Sequence, residues 1–124
     1  MEGAAIIEPI KIGGFWAKVT DESQALAYQQ LCGAWVGARN HIQINTAFDE
    51  QTQAETLVHE VVHAILAVYL EGVPVEEAFL APFAQGLFQV IGDNPHLIER
   101  VWAMAEGGRD VNGVKDTASV GEKD

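Results

Sequence analysis

A chain of 124 residues with 48% hydrophobic and 20% charged residues has globular composition and enough mass for one hydrophobic core. Its 18 acidic residues against 7 basic ones give a formal net charge of −11, which repels phosphate backbones and anionic lipid and argues against nucleic-acid or membrane partners. No apolar run reaches the length of a membrane span, and nothing reads as a secretory leader or a cysteine pair, so a reducing, cytoplasmic setting is expected.

In chain order, "PIKIGGFWAKVTD" alternates apolar and polar residues around Gly13 and Gly14, which predicts a strand or short hairpin. "SQALAYQQL" suits a short helix. "GAWVGARNHIQIN" holds two strand-like runs joined near residues 38–40, a second hairpin. In its last run Ile42 and Ile44 share one face, and His41, Gln43 and Asn45 share the other. A helix should begin near Thr52, where Thr52 and Glu55 have capping-box spacing and Asp49 is a competing cap. It should end at Gly72, with Pro74 beyond. A second helical pattern covers about 75–91 and closes at Gly92. A third follows "DNP", with Asp93 or Asn94 as cap and Pro95 at its first position. A small sheet or pair of hairpins followed by helices is an α+β arrangement. After Glu106 the chain becomes Gly-, Asp- and Lys-rich without apolar periodicity. Residues 1–106 are therefore read as one domain and 107–124 as a flexible hydrophilic tail.

The segment "TLVHEVVHAIL" carries the chemistry. His59 and His63 are four apart, so on a helix their imidazoles stack on one face and can address one ion. Zinc takes neutral imidazole readily and leaves one position to water in catalytic sites. Glu60 is rotated about 100° from His59 at 3.6 residues per turn. It is badly placed as a ligand but well placed to act as general base on a metal-activated water. Val58, Val61, Ile65 and Val68 form an apolar stripe expected to anchor the helix away from the histidines. The bland alternative is a core helix whose histidines bond to neighbouring polar groups.

A hydrolytic zinc site usually needs a third protein ligand. The third histidine six residues beyond His63 is missing, because Tyr69 stands there. Glu71 lies about 12 Å up the helix axis from His63 and is too distant. The remaining choice is a carboxylate returning from the next segment, Glu76 or Glu77. Pro82 complicates that segment, since a proline inside a helix loses a hydrogen bond and clashes with the carbonyl of Ala78.

"ETLVHEVVHAIL" followed by "EEAFLAPFAQGL" resembles the minimal zincin metallopeptidases of the ImmA/IrrE type and the small zincin-like proteins of bacteriophages, over roughly residues 40–95. The resemblance implies a minimal zincin-like fold, with a strand hairpin before the histidine-bearing helix and two further helices after it. It implies a glutamate ligand in a pattern close to E-x-x-A-x-x-F-A, whose last two places are Phe83 and Ala84 and whose glutamate falls on Glu77. The expected site is thus Zn2+ held by His59, His63 and Glu77, with Glu60 as catalytic base. The expected activity is hydrolysis of peptide bonds in a peptide or protein substrate inside a bacterial host cell. The alternative is a catalytically silent zinc-binding interaction module of phage or mobile-element origin. Iron or manganese also accepts two histidines and a carboxylate. In such proteins a strand beside the helix aligns extended peptides by edge pairing; His41 is a candidate to line that cleft, although an exposed strand histidine is more often incidental. Tyr28, Tyr69 and His96 are candidates to stabilise an oxyanion. Trp16, Trp35 and Trp102 are read as packing residues.

Overall fold

The structure, a computed structural model, describes residues 3–114, with side chains through residue 107. Strands β1 (Ile10–Ile12) and β2 (Phe15–Asp21) form an antiparallel hairpin with Ile12 opposite Phe15. The two-residue loop has φ +60° at Gly13, its first central position, where a II′ turn calls for glycine. A side chain there would also meet a neighbour, since an added Cβ would lie 2.7 Å from Val68 Cγ1. Helix α1 (Ser23–Tyr28) follows, then β3 (Gly33–Val36) and β4 (His41–Ile44). A 3-10 turn over Gly37–Arg39 and Asn40 in the left-handed region close this second hairpin.

The sheet order is β1-β2-β4-β3. β2 and β4 are parallel, with Val19 opposite Ile42, so the two hairpins join through a non-local pairing. β4 therefore lies inside the sheet and β3 is its edge. Residues 4–6 extend the pairing on β2, through Ile6 N to Val19 O at 2.9 Å and Asp21 N to Ala4 O at 3.0 Å.

Helix α2 (Glu50–Tyr69) crosses this sheet, and α3 (Glu77–Asp93) packs on α2. α2 buries two faces where the sequence pattern suggests one. Leu57, Val61, Ala64 and Val68 meet the sheet at Ile12, Ala17, Val19, Ile42 and Ile44. Val58, Val62 and Leu66 meet Val75, Leu80, Ala84 and Leu87 of α3 and the turn before it. The expected stripe is thus corrected: Val61 and Val68 face the sheet, Val58 faces α3, and Ile65 is 38% exposed. At about 100° per residue, Ile65 falls between the two packed faces on the open side of the helix. Trp35 packs against the core, whereas Trp16 and Trp102 are more than 60% exposed; Trp16 instead lies under Lys11 Nζ, 5.8 Å from its ring centre.

The chain divides into two compact units, the first through Phe88 and the second from Gln89. The second unit holds the last turn of α3 and helix α4 (Leu97–Val114). Asn94 shapes the turn between them, its Nδ2 donating to Val90 O at 2.9 Å, and Pro95 precedes α4 rather than opening it. α4 runs eight residues past the expected boundary, so residues 107–114, read from sequence as tail, are helical. Glycine costs a helix about 1 kcal/mol relative to alanine, which weakens it without forbidding its geometry. The rest of the expected tail, 115–124, lies outside the described residues. Among the described residues, no helix is long and apolar enough to cross a membrane.

Candidate functional site

The site begins with the helix that carries it. Asp49 Oδ1 accepts from Thr52 N at 2.7 Å, so Asp49 is the cap and α2 starts at Glu50. Thr52, the other candidate cap, lies within the first turn. From that start the sheet-facing and α3-facing residues fix the roll of the helix. His59, Glu60 and His63 then occupy the sector between α3 and the edge strand β3.

The third group arrives from α3. After Gly72, with φ +84°, and the turn closed by Val73 N to Leu70 O, the chain reverses and α3 opens at Glu77. Leu80 and Ala84, buried to 2% and 3% exposure against Val62, fix the face that α3 turns to α2. Glu77 precedes them by three and seven residues and therefore shares that face. Its carboxylate meets both histidines: Oε2 lies 2.8 Å from His59 Nε2 and Oε1 lies 3.2 Å from His63 Nε2. Glu76 is exposed and outside this group. Pro82 sits inside α3 and leaves its first turn in place, with Phe79 N and Leu80 N both bonded to Glu76 O.

One donor atom from each of His59, His63 and Glu77 lies within 4.8 Å of the other two, an arrangement that can hold a metal ion. The imidazole centroids are 5.0 Å apart. Two imidazoles and one carboxylate suit zinc, and iron or manganese as well. Burial is the main force lowering the pKa of His63, helped by the charge of His59 and opposed by Glu77. A lowered pKa keeps the ring neutral, the form that can donate its lone pair.

Glu60 lies beside this group at 8% exposure. Burial pushes its carboxyl up to about 7, with the charge of Glu77 adding to the rise and that of His59 opposing it. A carboxyl poised near neutrality can take up and return a proton at ordinary pH. A cleft of about 360 Å³ opens on the group, bordered by Gly33, Ala34 and Trp35 of β3 together with His59, Glu60, His63 and Glu77. Gly33 is required for this approach: a Cβ there would lie 2.5 Å from Thr56 Cγ2 and 2.8 Å from Gln43 O.

His41 is not in the cleft. It is fully buried on β4, with Nε2 2.6 Å from Thr20 Oγ1, and that hydroxyl donates to Glu22 Oε2 at 2.7 Å. The alternation of "HIQIN" suggests a wet face for His41, but the ring is enclosed beside Thr20 of the neighbouring strand β2. Tyr28 and Tyr69 are 94% and 67% exposed, and His96 pairs with Glu99; none of the three lines the cleft. The residues that sequence reasoning missed are those of β3. Gly33 opening a strand was the available signal, since such a glycine often marks a close backbone approach.

No protein-family model matches this chain, and comparison with curated proteins and with solved structures likewise gave no match.

Proposed function

We propose that this protein is a zinc-dependent metallopeptidase of minimal zincin type, acting on a peptide or protein substrate. One observation carries the reading: His59, His63 and Glu77 converge within 4.8 Å at the floor of a cleft that also holds a buried carboxyl, Glu60, near neutrality. A purely structural triad would leave Glu60 buried with no chemical use, at a cost in stability.

In this reading His59, His63 and Glu77 hold the ion, and Glu60 takes a proton from the attacking water and delivers it to the leaving amine. Bound zinc supplies Lewis acidity, which acidifies water and polarises a carbonyl oxygen. Among the described residues no strand lies beyond the edge strand β3, and along the cleft an extended peptide can add there as a further strand.

A second reading, a zinc-holding interaction module without turnover, draws on Phe79 and Phe83. They lie one turn apart on α3 and are 74% and 60% exposed, as an aromatic contact surface would be. Two measurements decide. Metal analysis of the purified protein is expected to find about one zinc per chain, lost in His63→Ala; absence of stoichiometric metal in the wild type sinks both readings. Glu60→Gln is expected to retain the metal and lose peptide cleavage by a factor of about 100 or more. A wild type that holds zinc and cleaves nothing leaves the module.

A further inference from the structure

A second cavity, of about 370 Å³, adjoins the cleft and shares Gly33, His59 and Glu60 with it. It lies toward the N-terminal half of α2, and α3 lines it with Ala81, Ala84 and Gln85. The volume is at the lower end of the range for small-ligand pockets, suited to one long side chain. Glu55 borders it, four residues before His59 on the same face of α2 and about 6 Å along the axis. An extended peptide advances about 3.3 Å per residue. A bond held at His59 and Glu60 therefore brings the side chain of a flanking residue within reach of Glu55.

The charges in this cavity are unbalanced. Glu55 is half-buried and makes no hydrogen bond or ion pair with any described residue. Glu60, more than nine-tenths buried, lines the same cavity and likewise accepts no hydrogen bond from a described residue. Among the described residues the only basic side chain bordering the space is His59, which Glu77 already pairs, and the chain as a whole carries −11. An acidic or apolar side chain entering here would leave the Glu55 carboxylate without a donor, whereas a cationic one satisfies it.

We propose that Glu55 makes this cavity a receptor for the cationic side chain of a lysine or arginine that flanks the cleaved bond. The position relative to a cleaved bond rests on the peptidase reading; the binding of a cation in the cavity does not. Glu55 is the specificity residue, receiving the ammonium or guanidinium group, and Gln85 offers a second acceptor from α3.

The test uses the full-length protein and two small probes, N-acetyl-arginine amide and its neutral isostere N-acetyl-citrulline amide, with binding followed by NMR titration. The arginine probe should bind at least tenfold more tightly, the advantage should shrink as salt is raised, and Glu55→Gln should erase it. Equal or undetectable binding of the two probes, or an advantage that survives Glu55→Gln, overturns the proposal. This arm needs no turnover, so it decides the cavity even if the protein cleaves nothing. In a second arm, zinc-loaded wild type is given a proteome-derived peptide pool. Lysine or arginine should be enriched about tenfold at one position beside the cleaved bond, and Glu55→Arg should replace that preference with aspartate or glutamate. Cleavage without a basic preference overturns the proposal and leaves the peptidase reading standing.

Discussion

Glu60 shows how a single residue links stability to chemistry. Its carboxyl has an ordinary value of 4.5 and is pushed up to about 7 in the fold, chiefly by burial. A raised carboxyl favours the folded state only while it is protonated. The benefit is complete below 4.5 and is lost as pH rises through about 7. With metal removed by a chelator, the wild type should therefore lose on the order of 2 kcal/mol between pH 4.5 and pH 8 that Glu60→Gln does not lose. Urea denaturation at the two pH values measures this. The variant should match the wild type at pH 4.5 and exceed it at pH 8. Equal midpoints at pH 8 would show that the carboxyl ionises without penalty and is not the poised acid–base group proposed here. Above neutral pH the metal-free protein thus bears a stability cost at Glu60, which is what the proposed general base would impose.

At the scale of elements, two glycines of opposite character test how the site is held. Gly33 lets β3 close on α2, and a Cβ there would meet backbone at Gln43 O, which cannot move aside cheaply. Gly33→Ala should cost about 1–3 kcal/mol by overpacking and should loosen the contact with Thr56 and Glu60. Gly86 lies within α3 with open space around it, and Gly86→Ala should stabilise by about 0.5–1 kcal/mol. Thermal or urea unfolding separates the two signs; a neutral Gly33→Ala would mean that β3 and α2 are not closely packed. The elements themselves were largely legible, because alternation, paired glycines and caps are local signals. Both hairpins and α2 lie close to where those signals place them. The parallel pairing of β2 with β4 was not legible, since nothing local to either strand encodes a partner about twenty residues away. That pairing makes β3 the edge and buries His41. For the same reason the histidine spacing was readable, while the arrival of Glu77 depended on the turn over residues 70–76 and on Leu80 finding Val62.

For the whole molecule, the relevant quantity is what a cation does to an acidic fold whose two principal helices meet at the site. The chain carries −11, and Glu77 from α3 reaches His59 and His63 from α2 across an otherwise apolar helix contact. A ligand that binds only the folded state adds RT ln(1 + [L]/Kd), about 2.7 kcal/mol at a hundredfold excess over Kd. For a chain of this size that corresponds to a rise of roughly 5 °C or more in Tm. Zinc at that excess should raise the Tm of the wild type, and a chelator should reverse the rise. His63→Ala should abolish it, because one imidazole and a carboxylate hold zinc weakly. Glu77→Ala should remove most of it, while Glu76→Ala, which alters a carboxylate of the same charge on the neighbouring residue, should leave it unchanged. The comparison matters because a chain with 18 acidic residues binds cations loosely at many places. A shift that survives Glu77→Ala would be that diffuse binding, and it would remove α3 from the site. A shift lost in Glu77→Ala and kept in Glu76→Ala would place the ion between the two helices, beside the carboxyl proposed as general base.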